Sequence, residues 1–415
     1  MAHDDHVVGI DIGTTKICTV VGRPAEGGIL EVCGVGLHPS HGLRQGVVVD
    51  RETTIASIRE SVGQAERMAG IEVGGAYVGI SGDHIVSTNA TGRVHTGPSG
   101  EVTAEDVDKA VQSARDSVAL PSDREIIHSI VRDFTVDGQQ GVARPVGMSG
   151  RRLDAEVHVV TGMASVIANI SRCVEDAGVS VRQQVLEPLA TSLAVLTEAE
   201  RDLGVVLVDI GGGTTDIAVF LDNSIYHTAA IAVAGNRVTR DLAKLLQISM
   251  EEAEAAKCRW GRALASAVPG DDEVLVTGAD GESRKSVKQQ LIAEVIQARL
   301  EEIFELVYAE VKRSGAGDLC AGGVVISGGG SQLPDTARLA SAVMGDMSVR
   351  VGKPRGLSGL VRNVSSPIHA TGVGLAIQAA LDGASTHAPA ASDVWSRLTG
   401  WLQALWQRTF PHSSS

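Results

Sequence analysis

A chain of 415 residues, 43% hydrophobic and 21% charged, has the balance of a globular protein of roughly two or three domains, and its 50 acidic against 36 basic side chains, a formal charge of −14, exclude a surface built to wrap a polyanion. No apolar run reaches the roughly 20 residues that span a bilayer, and the cysteines (Cys18, Cys33, Cys173, Cys258, Cys320) are scattered, unpaired in sequence and suited to a reducing compartment rather than a zinc site. The start, MAHDDHVVGIDIG, lacks the basic and apolar regions of a signal peptide, so a cytoplasmic protein is expected.

Along the chain, the apolar run Val7–Ile12 ends in a Gly-Thr-Thr turn and resumes, so VVGIDIGTTKICTVVG (7–22) reads as a hairpin. Apolar residues at spacings of three and four predict a helix over 53–69, and VGISGDHI (78–85) reads as a strand running into a turn. Mixed strand and helix signals over 82–163 mark an inserted subdomain. Helical patterns at 164–177 and 189–200 lead to Val205–Ile210. There VLVDIGGGTTDIAVF (206–220) repeats the plan of the first hairpin: apolar strand, aspartate, Ile-Gly, a turn of glycines and hydroxyls, apolar strand. A second insert is expected at 235–298, with a charged loop over 269–285. A helix over 291–311 follows, and Val324–Ser327 then runs into a third glycine turn, VVISGGGSQL (324–333). Strand and helix alternate, which predicts an α/β protein with two related halves. After Leu381 a small-residue linker containing Pro389 isolates a tail that holds three of the four tryptophans.

Glycine turns between strands let a phosphate chain lie close to backbone N–H donors, because no Cβ intervenes. One such turn is an ordinary hairpin; two copies with a strand-end aspartate and a third glycine loop predict a triphosphate clamp. Lys16 can neutralise β- and γ-phosphate oxygens, Thr14 and Thr15 can donate hydroxyls, and Asp11 and Asp209 are placed to hold Mg²⁺ through its waters. A sugar or acetate kinase would share these hairpins but needs a phosphoacceptor pocket with its own catalytic aspartate, for which no separate candidate stands out.

DIGTTKIC, DIGGGTTDIAVF and VISGGGSQL resemble the phosphate and adenosine motifs of the actin, heat-shock chaperone and sugar kinase superfamily. Within it, GVVVDRETTIASIRESV (46–62), GISGDHI (79–85), PVGMSGRRLDAEVHVV (145–160), AGNRVTRDLA (234–243), EAEAAKCRWGRAL (252–264) and the tail WSRLTGWLQALWQRTF are similar to the FtsA family of bacterial cell-division proteins, over nearly the whole of 7–410. That resemblance implies an actin-like, ribonuclease H-like α/β fold of two lobes. Residues 1–81 and 164–204, with a returning helix at 366–382, would form the first lobe; 205–234 and 299–365 would form the second. The insert at 82–163 would serve polymer and partner contacts, and that at 235–298 would lie near the adenosine and the FtsZ tail. A linker (383–391) and an amphipathic helix (392–410) would complete the chain.

The resemblance also implies ATP binding by Gly13, Thr14, Thr15 and Lys16 in the first loop, Gly211, Gly212, Gly213, Thr214 and Thr215 in the second, and Gly328, Gly329, Gly330 and Ser331 at the adenosine. Gly235 and Asn236 would lie beneath the phosphates, and Glu254 and Lys257 over the nucleoside, although their spacing alone suits a solvated intrahelical pair. Glu187 in VLEPLA and Asp209 would place the attacking water, with tight ATP binding and at most slow turnover.

On a helical wheel Trp395, Leu398, Trp401, Leu402, Leu405, Trp406 and Phe410 all fall in one half, with Arg397 and Arg408 beside them. A short, tryptophan-rich helix after a flexible linker fits an interfacial membrane anchor better than a helix docked on the body. In FtsA-like proteins the FtsZ C-terminal tail binds the second insert. A helix through SVKQQLIAEVIQARLEEIF (286–304) would carry Lys288 and Arg299 outward; Arg299 holds the family's basic position, while Lys288 and Arg284 are added from charge. The function expected is an ATP- and Mg²⁺-binding, actin-like division protein that polymerises at the inner membrane face of the septum, tethers the FtsZ ring and recruits later division proteins. Its expected partners are FtsZ, copies of itself and lipid, not nucleic acid. The alternative is a soluble small-molecule kinase whose tail is a dimerisation helix.

Overall fold

The computed structural model describes residues 6–386, so the amphipathic tail expected at 392–410 lies outside the described residues. β1 (Val7–Ile12) and β2 (Lys16–Ala25) form the first hairpin, with Asp11 opposite Cys18 and Ile12 opposite Ile17. β3 (Ile29–Pro39) continues the meander, and two short strands, β4 (Leu43–Arg44) and β5 (Val47–Val48), lead into α1 (Arg51–Ala69). Asp50 starts that helix by accepting from the Thr53 N–H, and Gly70, at φ 71°, ends it. β6 (Gly75–Ile80) then lies parallel to β1.

The first insert comprises β7 (Val86–His95), α2 (Ala104–Ser117), β8 (Arg124–Val136) and β9 (Arg152–Met163), a sheet in the order β7-β9-β8 with α2 packed on it. The chain returns to the first lobe through α3 (Ala164–Asp176), β10 (Ser180–Leu186), α4 (Glu187–Val195) and α5 (Glu198–Leu203). The single helix expected at 189–200 is two. Helical geometry stops at Leu196, and Thr197 restarts it with a capping box to Glu200.

β11 (Val205–Ile210), β12 (Thr215–Leu221) and β13 (Ser224–Ile231) open the second lobe. α6 (Gly235–Leu246), α7 (Met250–Trp260), β14 (Glu273–Thr277) and β15 (Arg284–Lys288) precede the long α8 (Gln289–Arg313). β16 (Val324–Ser327), α9 (Thr336–Val343), β17 (Val349–Val351), β18 (Leu357–Gly359), α10 (Val361–Val364) and α11 (Ala370–Thr386) follow.

The repeat in the sequence is a repeat in topology. The sheets run β10-β6-β1-β2-β3-β18 and β13-β12-β11-β16-β17. Each has an antiparallel hairpin, an antiparallel third strand on one side and parallel strands on the other. Between the sheets lie α4 and α11, whose Ala194, Val373 and Ala376 are buried against Val20, Val205 and Leu207. The approach is close enough that a Cβ on Gly374 would sit 1.8 Å from the Ala190 carbonyl oxygen. Because β11 alternates, Val206, Val208 and Ile210 face the other way, into a core shared with Leu242 of α6 and Ile296, Leu300 and Phe304 of α8. α8 runs unbroken through residues 298 and 299, where the second insert was expected to end. Lys288 is not on this helix: it ends β15, opposite Glu273, because the β14–β15 hairpin takes the residues before Gln289.

Candidate functional site

The two glycine hairpins meet across a cleft of about 550 Å³ between the lobes. Their turns share one plan: the Gly13 N–H donates to the Lys16 carbonyl, and the Gly211 N–H to that of Thr214, both at 3.0 Å. They interdigitate. A Cβ on Gly212 would lie 1.7 Å from Thr15 Oγ1, and one on Gly213 2.5 Å from Thr14 Oγ1, so the second turn must be glycine where the first carries threonine. α6 begins beneath the second turn, with the Gly235 N–H donating to Gly211 O (3.1 Å) and the Asn236 N–H to Gly212 O (2.8 Å), which aims a helix N-terminus at the cleft. The third turn lies on the second hairpin: Gly328 has φ 77°, and its Cβ would stand 2.3 Å from Asp209 Oδ1.

The floor is acidic. Asp11, Glu187, Asp209 and Asp216 line it together with Lys16, whose Nζ is 3.1 Å from Asp11 Oδ2. Burial, reinforced by Asp11, Asp216 and Asp209, pushes Glu187 well above the usual carboxylate range. Burial also raises Asp209, against hydrogen bonds from the Thr191 and Thr371 hydroxyls to its Oδ2 at 2.8 and 3.2 Å. Asp216 is pushed up to about 7 by burial, against hydroxyl bonds from Ser81 (2.7 Å) and Thr214 (3.1 Å). For Lys16, burial opposes the charge, but Asp11 outweighs it and raises the ammonium. Among the described residues no three His, Cys, Asp or Glu side chains stand close enough to cage a metal directly. An all-oxygen donor set short of positive charge fits a hard cation that keeps its waters, as Mg²⁺ does.

Toward the nucleoside side, α7 contributes Glu254 and Lys257, joined at 2.6 Å; Lys257 Nζ also donates to Thr239 Oγ1 at 2.9 Å. Burial works against the Glu254 charge, but Lys257 holds the carboxyl below its usual range. Leu300, Leu333, Pro334 and Ile368 supply an apolar wall there.

Gly13, Thr14, Thr15, Lys16, Gly211, Gly212, Gly213, Thr214, Gly235, Asn236, Glu254, Lys257, Gly328, Gly329 and Gly330 all reach the cleft wall, as do Asp11, Glu187 and Asp209. Thr215 and Ser331 turn away. Their hydroxyls donate to Val233 O (2.7 Å) and Gly328 O (2.8 Å), so each braces a turn from behind. Arg299 and Lys288 do not line the cleft, and Arg299 is already engaged: Nε donates to Asp241 Oδ2 at 2.6 Å and Nη1 to Glu302.

Sequence reasoning missed Asp216. The signal was available, since the two hairpins align without a gap and Asp216 takes the place of Cys18, each opposite the strand-end aspartate of its hairpin. An acid at a position whose counterpart is a buried thiol is out of pattern for a strand interior.

A family model described as "Cell division protein FtsA" matches residues 206–374, and one described as "SHS2 domain inserted in FTSA" matches residues 82–161, nearly the whole first insert. Cell division protein FtsA of Pseudomonas aeruginosa is 41% identical over 408 residues, covering 96% of this chain and 97% of that protein. The FtsA protein of Escherichia coli K12 is 37% identical over 410 residues, 96% of each. Among solved structures, the PilM-PilN type IV pilus biogenesis complex matches with a TM-score of 0.64 at 16% identity, over 90% of this chain and 98% of that one. MreB5 of Spiroplasma citri bound to ADP matches with 0.53 at 15%, over 89% and 95%. These two speak for the fold, which is actin-like, and no helix among the described residues is long and apolar enough to cross a membrane. With relatives aligned over almost its full length, in place of the small-molecule kinase the chain belongs to the FtsA family of cell division proteins.

Proposed function

We propose that the cleft binds Mg·ATP, that the bound nucleotide draws the lobes together, and that the closed form assembles head to tail at the inner membrane face and links the FtsZ ring to it. The observation that carries the nucleotide reading is the interdigitated pair of glycine turns over an acidic floor holding Lys16. The turns present backbone N–H groups and the Thr14 and Thr15 hydroxyls to phosphate oxygens, the α6 N-terminus adds its dipole, and Lys16 supplies charge. Bound Mg²⁺ would supply the positive charge that Asp11, Asp209 and Asp216 lack. Glu187 and Asp209 stand together on this floor and would place the attacking water, with at most slow turnover expected.

The tail face formed by Trp395, Leu398, Trp401, Leu402, Leu405, Trp406 and Phe410 makes a moderate anchor for one copy, at roughly 0.8 kcal/mol per buried CH₂. Joined copies bind firmly through effective concentration. The first insert recruits later division proteins, and the FtsZ tail meets Lys288 at the end of the second insert and Arg299 on α8, where its carboxylates exchange with Asp241 and Glu302 for the guanidinium. Calorimetric titration with Mg·ATP, paired with flotation on anionic liposomes, tests both halves: heat of binding and nucleotide-enhanced flotation are expected, and a chain that binds neither would refute the proposal.

A further inference from the structure

We infer that Ser81 couples occupancy of the cleft to the orientation of the first insert, so that this subdomain, threaded through the first lobe, is carried by the second. The inference rests on the Mg·ATP reading of the cleft. Ser81 directly follows β6, at the root of the insert, and is buried. Its Oγ donates to Asp216 Oδ2 at 2.7 Å and lies 3.2 Å from Thr214 Oγ1, which donates to the same carboxylate oxygen at 3.1 Å. Both partners belong to the second lobe's phosphate hairpin. A cation or phosphate that recruits Asp216 or Thr214 therefore rearranges the bonds of Ser81.

A second set of ties lies farther along the same segment. Ser87 Oγ donates to Thr228 O at 2.7 Å, and Asn89 Nδ2 donates to Tyr226 O at 3.2 Å. The fully buried His158 of β9 is held between Asn89 Oδ1 (2.7 Å) and Thr228 Oγ1 (2.9 Å), and the Arg132 guanidinium of β8 covers the Tyr226 ring at 4.5 Å. Tyr226 and Thr228 are on β13, the edge strand paired with β12, where Asp216 sits. One rigid hairpin thus grips the insert at two places.

The insert also packs on its parent lobe, where Ile85, Ile127 and Val160 share an apolar cluster with Ile80, Ile167 and Leu186. Leu186 N–H donates to His128 Nε2 at 3.0 Å, but a groove of about 980 Å³, with His128 and Ile130 on one wall and Arg182 and Gln183 on the other, separates β8 from β10. The root itself has the build of a joint. Gly82 has φ 145°, and a Cβ there would lie 2.8 Å from His84 Cδ2. His84 Nδ1 accepts from the Met163 N–H at 3.2 Å, which ties the root of the insert to the end of β9.

Hydrogen exchange on the full chain, with and without Mg·ATP and with calorimetry on the same samples, tests the coupling. In the wild-type chain Mg·ATP should slow exchange across 82–95 and 152–163 by about threefold or more, as local opening is suppressed. Ser81→Ala should lose most of that slowing while keeping Mg·ATP affinity within about fivefold, a change of about 1 kcal/mol, and Ser81→Thr, which keeps the hydroxyl, should restore it. Thr228→Val removes the hydroxyl that meets His158 and should weaken the response in β9 while leaving it at 81–86. Wild-type chain that binds Mg·ATP without slowing in the insert overturns the coupling alone, as does a Ser81→Ala chain that responds like wild type. Absence of any Mg·ATP binding removes the coupling together with the reading beneath it.

Discussion

Replacing Asp216 with asparagine should stabilise the nucleotide-free chain while weakening its hold on Mg·ATP. The side chain is 4% exposed, and its pKa is raised from 3.8 to about 7, burial being the largest cause. A carboxyl whose folded pKa lies above its unfolded value binds protons more readily when folded, so the wild-type chain loses stability as pH rises from about 4 to about 7. At about 1.4 kcal/mol per pKa unit the loss has a ceiling of about 4 kcal/mol. Part of it belongs jointly to Asp209, Asp11 and Glu187, so a gain of about 1–3 kcal/mol above pH 7 is expected for Asp216→Asn. The asparagine oxygen can still accept from Ser81 and Thr214, which keeps the two hydroxyls paired. Urea denaturation at a series of pH values, without nucleotide, gives the measurement: the advantage of Asp216→Asn should grow between pH 4 and 7 and level off above. A difference independent of pH would show that Asp216 is not ionised against its surroundings, and the account of the acidic floor would fail. Calorimetry on the same variant should show at least tenfold weaker Mg·ATP binding, the loss of one charge-assisted contact of about 1.5 kcal/mol or more.

Asp11→Ala with Lys16→Ala should lower Mg·ATP affinity by about a hundredfold or more, from two charge-assisted contacts, with the fold intact by circular dichroism; unchanged calorimetric affinity would remove the clamp. Deleting the chain from residue 393, or combining Trp401→Glu with Leu405→Glu, should release it from liposomes in flotation and leave ATP binding normal, since each carboxylate costs several kcal/mol at about the depth of the apolar face. Arg299→Glu should weaken an FtsZ tail peptide by about tenfold or more in titration. Because that change also sets a third carboxylate beside Asp241 and Glu302, its melting temperature should fall as well, and Lys288→Gln, at an exposed strand end opposite Glu273, removes a charge without setting carboxylates together. Phe304→Ala, fully buried where α8 meets the second sheet, should cost about 3–5 kcal/mol in urea denaturation.

What the sequence alone determined is what a backbone needs locally. Gly13 and Gly211 begin four-residue turns, Gly328 carries a positive φ, and near-continuous apolar runs in Val7–Ile12 and Val205–Ile210 make strands buried on both faces; these demands fall within a few residues and show as composition. The stop at Leu196 was equally local, written in Thr197 and Glu200, although the apolar period ran over it. Packing decided the rest. Asp11, Glu187, Asp209 and Asp216 come from strand ends and a helix start far apart in the chain, and only when the sheets close on α4 and α11 do they lose water together, which lifts Glu187, Asp209 and Asp216 above the usual carboxylate range. Arg299 reads as a free basic residue until α6 brings Asp241 to it. Thr215 and Ser331 are indistinguishable by type from Thr214 and Thr15, and which hydroxyl faces the cleft follows from strand register and from neighbours such as Val233 that the motif does not contain. Side-chain direction and desolvation are set by whichever distant segments arrive, so they belong to the tertiary structure, while turn chemistry belongs to the sequence.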